Sequence, residues 1–272
     1  MLALSINWNP SPIIFHIGSF AIRYYSLMFI IAFILGLHLM KKIYIADKVS
    51  LDKLDPLFMY VVIATLLGAR LGHVFFYDWA YFKDHLLEIF LPVQFSPHFK
   101  IIGFRGLASH GAAIGIITAL YFYSKRILKK PFLFILDRVG IVVALAGFFI
   151  RIGNLMNSEI VGKPTHSNFG FVFQRLGEDF PRYPTQLFEA FSYLIIFFIL
   201  WHMYWKTNSK QKSGYLFGVF LTLLWSVRFL IEFLKAPQEE DRANWILNTG
   251  QLLSIPLIII GLYFIFRTPK KV

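Results

Sequence analysis

Residues 132–150 read Phe-Leu-Phe-Ile-Leu-Asp-Arg-Val-Gly-Ile-Val-Val-Ala-Leu-Ala-Gly-Phe-Phe-Ile, and Arg151-Ile152-Gly153-Asn154 follows at once. Apart from Asp137 and Arg138 near one end, this run is apolar on every side. A helix at a protein–water boundary keeps a polar face, whereas one that is apolar all round lies in a core or in lipid. Crossing the hydrocarbon takes about 20 mostly apolar residues. The run therefore predicts a membrane span that stops against a polar segment. Working outward, six further runs of this kind appear, which places the spans at roughly 20–40, 57–77, 107–123, 132–150, 186–204, 215–234 and 251–266. A lipid-spanning barrel would alternate polar and apolar residues over about ten positions, and these runs do not. The expected fold class is an all-α integral membrane protein, with seven transmembrane helices in a single membrane domain, 1–272. Gly68/Gly72, Gly111/Gly115 and Gly214/Gly218 have the small-xxx-small spacing that brings helix backbones together in lipid.

Composition agrees. Of 272 residues 57% are apolar, 18% aromatic and only 15% charged, and none is cysteine. A disordered chain would be poor in apolar and aromatic residues, and a disulfide scaffold or a cysteine nucleophile has no cysteine to work with. Residues 1–19 lack a basic n-region and a small-residue cleavage site, so a cleaved leader is not expected. Trp8, Pro10, Pro12 and Phe15 suit an interfacial lead-in to the first span.

The net charge of +12, from 27 Lys+Arg against 15 Asp+Glu, is compatible with nucleic acid, anionic lipid or the asymmetry of membrane insertion. Its distribution decides. One set of connections holds Lys41, Lys42, Lys48 and Lys53, then Lys125, Arg126, Lys129 and Lys130, then Lys206, Lys210 and Lys212, and finally Arg267, Lys270 and Lys271. The only acids in that set are Asp47, Asp52 and Asp55. The opposite connections, about 78–106, 151–185 and 235–250, are longer and mix both signs. Basic loops face the cytoplasm, so the N-terminus is expected outside and the C-terminus inside. The charge is an insertion signal, and a nucleic-acid partner is not indicated.

Ionisable residues inside or at the rim of a span are costly and by default mark a site. Tyr25 lies in Ile22-Arg23-Tyr24-Tyr25-Ser26, at the outer end of the first span, where a tyrosine is ordinarily an interfacial anchor. Arg70, in Gly68-Ala69-Arg70-Leu71-Gly72-His73, cannot lose its charge and needs a carboxylate, carbonyls or a phosphate. His110, in Ser109-His110-Gly111, titrates near neutrality and can accept a proton. Arg151 to Gly162 is the densest polar stretch: Arg151 and Asn154 share a helix face, Glu159 adds a carboxylate, and Gly153 and Gly162 admit close backbone approach. Glu189 falls in the first turn of the fifth span, where capping alone accounts for it and a partner role stays open. Arg228 and Glu232 are four apart on one face. They either neutralise each other or leave Arg228, oriented by Glu232, to hold a phosphate.

No phosphate loop, dinucleotide fingerprint, metal-ligand spacing or Gly-x-Ser-x-Gly elbow is present, so no cofactor or metal is expected. An arginine-lined pocket at headgroup level, suited to an anionic phospholipid, is what remains.

These residues resemble those of the prolipoprotein diacylglyceryl transferase family nearly end to end. The likeness covers Arg23-Tyr24-Tyr25, Gly68–Gly72, Ser109–Gly111, the Arg-Ile-Gly-Asn segment through Gly162, residues 181–189, Arg228–Glu232 and Gly250–Pro256. It implies a multi-pass enzyme of the bacterial inner membrane, with an outer arm at about 78–106 and a head at about 151–185. Such an enzyme takes the diacylglyceryl group of phosphatidylglycerol to the lipobox cysteine of a preprolipoprotein signal peptide, the first step of lipoprotein maturation. A thioether forms and glycerol phosphate leaves. Carried over residue by residue, the resemblance makes His110, Arg151, Arg228 and Tyr25 catalytic. Asn154, Glu159, Gly162 and Glu232 become substrate-binding, with Arg70 added as a further deep cation. His110, or else Tyr25, would take the thiol proton. The chain departs from the pattern at Ile150, Ser158, Val161, Ala112 and Lys235, the last standing where arginine is common, which leaves Lys235 outside the expected site. A transporter or lipid-binding membrane protein using the same pocket is the alternative, although matched broken helices are lacking.

Overall fold

The computed structural model describes residues 4–18, 20–91, 93–95, 98–101, 106–165, 167, 169–237 and 247–267. It is mostly helical. In chain order the elements are β1 (Leu4–Trp8), β2 (Ile13–Ile17), β3 (Phe20–Arg23), α1 (Tyr24–Ala46), α2 (Leu54–Tyr77), α3 (Trp79–Phe82), β4 (Val93–Gln94), β5 (Lys100–Ile101), α4 (Ser109–Tyr123), α5 (Phe132–Met156), β6 (Phe169–Phe173), α6 (Thr185–Lys206), α7 (Tyr215–Ile231) and α8 (Thr249–Phe266). Among the described residues six helices are long and apolar enough to cross a membrane, namely α1, α2, α5, α6, α7 and α8. The third expected span, α4, is shorter at 15 residues, and a five-residue π turn, Ser124–Leu128, extends it.

The helix bounds differ from the sequence expectation at two informative places. The first span begins at Tyr24 rather than at residue 20, because Phe20–Arg23 pairs back on β2 as a hairpin. The fourth span does not stop at Ile150. It runs on to Met156, so that Arg151 and Asn154 sit on its last two turns. Lys270 and Lys271, counted above among the basic loops, lie outside the described residues.

The chain forms two compact units, Met1–Met40 with Leu136–Val272, and Lys41–Ile135. In the first unit β1 pairs in parallel with β6. This small sheet packs on the C-terminal end of α5, where Trp8 Nε1 donates to the Leu155 carbonyl at 2.9 Å, and Leu155, Phe171 and Phe173 form a buried cluster. At the other end, buried Asp137 accepts from the backbone N–H groups of Gly214 (2.8 Å) and Phe217 (2.9 Å). It thereby binds the free donors at the start of α7. Gly214 is the left-handed residue before α7, at φ 81°. Gly218 is the packing residue: a Cβ there would lie 2.8 Å from the Gly261 carbonyl oxygen of α8.

In the second unit α2 and α4 touch backbone to backbone. A Cβ on Gly68 would lie 2.5 Å from the Gly111 carbonyl oxygen, and one on Gly72 would lie 2.6 Å from the Gly111 Cα. The two glycine-spaced motifs are thus the two halves of one helix contact. At the far end Tyr44 and Tyr123, both fully buried, join hydroxyls at 2.8 Å. The arm, between α2 and α4, consists of α3, a 3-10 turn at Leu86–Ile89 and the β4–β5 hairpin.

Candidate functional site

Within the first unit, α5 carries Arg151 on its penultimate turn and α6, which starts at Thr185, carries Glu189 just past its first turn. Arg151 Nε lies 2.7 Å from Glu189 Oε2. Arg151 Nη1 donates to Asn154 Oδ1 at 2.9 Å, three residues along the same face. Asn154 Nδ2 and Asn157 Nδ2 both donate to the Glu159 carboxylate, at 3.3 and 3.1 Å. Glu189 has no exposed side-chain surface, and its other oxygen, Oε1, takes the Lys235 ammonium at 2.8 Å. Lys235 Nζ also donates to Glu232 Oε2 at 3.0 Å. Arg228 lies one helical turn before Glu232, over the Trp225 ring at 5.6 Å, and its charge is felt at Glu189 and Tyr193. The Nε of Arg228 is buried with no hydrogen-bond partner.

The local folding has plain causes. After α5 the chain turns through Ser158 and Ile160, both at φ 56°, a region that side chains with a Cβ adopt only at a cost. Gln186 and Thr185 hold this turn from α6: Gln186 Nε2 donates to the Glu159 carbonyl at 2.6 Å and Thr185 Oγ1 to the Ile160 carbonyl at 3.0 Å. Gly162 has room for nothing larger. A Cβ there would meet the Tyr183 carbonyl oxygen and would lie 3.0 Å from the Leu234 carbonyl oxygen. Gly153 does the same for Tyr25, whose ring edge would be 2.7 Å from an added Cβ. Tyr25 thereby sits beside Asn154, Glu159 and Arg151.

A sequence model of the prolipoprotein diacylglyceryl transferase family matches residues 12–267. The chain belongs to this family. Among relatives called phosphatidylglycerol–prolipoprotein diacylglyceryl transferase, that of Bacteroides fragilis is 41% identical, over 99% of this chain and 98% of its own length. The relative from Chloroherpeton thalassium is 40% identical, over 98% of this chain and 95% of its own. That of Rickettsia canadensis is 34% identical, over 97% and 98%.

Set against the family's residues, the structure brings Tyr25, Arg151, Asn154, Glu159, Gly162, Arg228 and Glu232 into one unit, with two additions. Glu189 is the buried carboxylate on which the cations converge, and Lys235 is buried between two carboxylates instead of lying outside the site. Glu232 is paired with Lys235, not with Arg228, so the expected orienting contact is replaced by a lysine bridge. The sequence leaves a partner role for Glu189 open, since a first-turn carboxylate is sufficiently explained by the helix dipole, but α6 starts at Thr185 and puts Glu189 past that turn. Its signal was the need of several arginines in apolar surroundings for a buried anion.

The remaining two residues lie in the other unit. Arg70 is buried and its N–H groups serve the arm. Nε donates to the Ile89 carbonyl at 2.9 Å, Nη2 to the Glu88 carbonyl at 2.6 Å, and the guanidinium lies 4.6 Å over the Phe82 ring. His110 is exposed in the first turn of α4, against the Phe76 and Tyr77 rings at 5.2 and 5.5 Å. Also in the arm, the buried Glu88 carboxylate accepts from the Tyr81 hydroxyl at 2.6 Å and from the Phe95 N–H at 2.7 Å. These two donors, the backbone one first, hold its pKa below the ordinary carboxylate range.

Proposed function

We propose that this protein transfers the diacylglyceryl group of phosphatidylglycerol to the lipobox cysteine of preprolipoproteins in the bacterial cytoplasmic membrane. The observation that carries the reading is the cluster around Glu189. Arg151 and Lys235 are paired with the carboxylates of Glu189 and Glu232, and Arg228 stands close by. The buried Arg228 Nε has no acceptor among the described residues. A phosphodiester carries one negative charge, and an arginine fork complements its oxygens.

In this mechanism Arg228 and Arg151 hold the phosphate and stabilise the charge that gathers on it. The cysteine sulfur forms a bond to the terminal glycerol carbon of the diacylglyceryl group. The bond from that carbon to the phosphate oxygen breaks, and its electron pair leaves with glycerol phosphate. The thiol proton goes to His110, or to Tyr25, because the thiolate is the competent nucleophile. Asn154, Glu159 and Gly162 shape the headgroup side, and Glu232 acts through Lys235. Arg70 is assigned to holding the arm. The sulfur comes from the substrate, and the chain has no cysteine of its own.

The whole chain is read as one membrane domain with seven crossings. Helix α4 and the π turn after it give a continuous helical run over 109–128, about the 20 residues that a crossing needs. The basic connections support a reading with the N-terminus outside and the C-terminus in the cytoplasm.

The test is incubation of purified protein with phosphatidylglycerol and a lipobox peptide carrying Cys or Ser as acceptor, read by mass spectrometry. Glycerol phosphate release with a thioether on the Cys peptide alone is expected, and Arg228→Ala should abolish it. Equal transfer to Ser, or wild-type rates in both His110→Ala and Arg228→Ala, would sink the assignment.

A further inference from the structure

Far from the Glu189 cluster, the last turns of α6 present an exposed face to the surroundings. Phe198, Trp201, His202, Trp205 and Lys206 line a shallow, open groove along this helix. The spacing i, i+3, i+4, i+7 puts the first four on one helix face. The Trp201 and Trp205 rings lie 5.5 Å apart, and Phe197 backs Trp201 at 5.8 Å.

The groove is graded along its length. Phe198, at its apolar end, is 58% exposed. Next come Trp201 with His202, then Trp205 with Lys206 at the helix end. From 198 to 206 the helix rises about 12 Å at ~1.5 Å per residue. Apolar wall, amphipathic indole and cation succeed one another in the order of the acyl chain, ester region and headgroup of a lipid. Indole rings with an apolar body and a polar tip belong at that level. Among the described residues neither His202 nor Lys206 has a hydrogen-bond or ion-pair partner, so the cation is uncompensated. The free carbonyls at the end of a helix repel an anion by themselves, and Lys206 reverses that preference. Lys210 and Lys212, in the turn that follows, keep the field positive.

We infer that this groove is a binding site for one anionic glycerophospholipid, in the leaflet that the basic connections face. Its headgroup phosphate lies on Lys206 and His202, and the upper part of a chain lies along Trp201 and Phe198. The site is separate from the transferase reading and does not depend on turnover.

The test uses the full chain in phosphatidylcholine nanodiscs into which dibrominated phosphatidylglycerol or dibrominated phosphatidylcholine is titrated, with tryptophan quenching as readout. Stronger quenching by the anionic bromolipid is expected at equal mole fraction. Trp201→Phe with Trp205→Phe should remove the difference. Lys206→Gln should reduce the preference about fivefold, the size of one basic residue near an anionic leaflet, and Lys206→Arg should keep it. Both variants alter an exposed side chain, so folding is not at stake. Equal quenching by the two bromolipids, or an undiminished preference in Lys206→Gln, would overturn the inference. Loss of thioether transfer with the preference intact would count against the transferase reading alone.

Discussion

Lys235 carries its ammonium between two carboxylates, 2.8 Å from Glu189 Oε1 and 3.0 Å from Glu232 Oε2. A compact ammonium can make those two single-point contacts without the fork geometry of arginine, which is how the site accommodates the departure from the family's common residue. Glu189 is the anion on which both Arg151 and Lys235 depend. Breaking a buried pair by removing one partner costs about 3–5 kcal/mol. Glu189→Gln should therefore lower the thermal midpoint of the purified protein markedly and abolish transfer, while Glu159→Gln, at an exposed residue, should leave the midpoint nearly unchanged. At Ser158 the backbone is left-handed, which costs a residue with a Cβ about 1–2 kcal/mol. Ser158→Gly should raise stability by about 1 kcal/mol with transfer retained; a lower midpoint would show that the serine contributes something its geometry does not reveal. At this scale the sequence was legible for Tyr25, Arg151, Asn154 and Arg228, because a polar group in an apolar run has few explanations. It was not legible for Glu189 and Lys235, because each had an adequate local or family-based account and their meeting depends on distant segments.

Helix contacts and the arm are set at the scale of elements. A Cβ on Gly111 would meet the Gly68 carbonyl oxygen and lie 2.6 Å from the Gly72 Cα, both backbone atoms that cannot rotate away. Gly111→Ala should push α2 and α4 apart and cost about 1–3 kcal/mol, seen as earlier thermal unfolding. An unchanged midpoint would mean that this contact is not close-packed in the membrane. In the arm, Glu88 ties the 3-10 turn to Tyr81 and to the hairpin. Its folded-state pKa is depressed, so the ionised form stabilises the arm. That contribution is complete above the unfolded pKa of about 4.3 and is lost as pH falls through the lower, folded value. Hydrogen exchange at the Phe95 amide, corrected for intrinsic rate, should show protection at neutral pH that disappears in acid. Glu88→Gln should weaken that protection at neutral pH and remove its dependence on acid. The helices were readable from apolar run length. The short strands β1 to β6 were not, since each is five residues or fewer, and β1 finds its partner β6 across most of the chain.

For the whole molecule the open question is topology. Since the chain has no cysteine, single cysteines report sidedness without background. Leu87→Cys and Gln174→Cys should react with an impermeant maleimide from outside. Lys129→Cys and Asn208→Cys should react only after permeabilisation. Labelling of Lys129→Cys from outside would mean that α4 does not cross and that the crossings number six. The sequence by itself determined the membrane class, the helical content, the charge asymmetry and the family. All of these follow from composition and from motifs read along one segment at a time, and burial in lipid acts on each run independently. Only the tertiary structure decided which charges meet: Arg151 with Glu189 rather than a free guanidinium, Glu232 with Lys235 rather than Arg228, and Arg70 with the arm's carbonyls. The physical reason is that a buried charge must find a partner, but many partners satisfy that requirement equally. The choice among them is made by helix packing, which no single stretch of sequence contains.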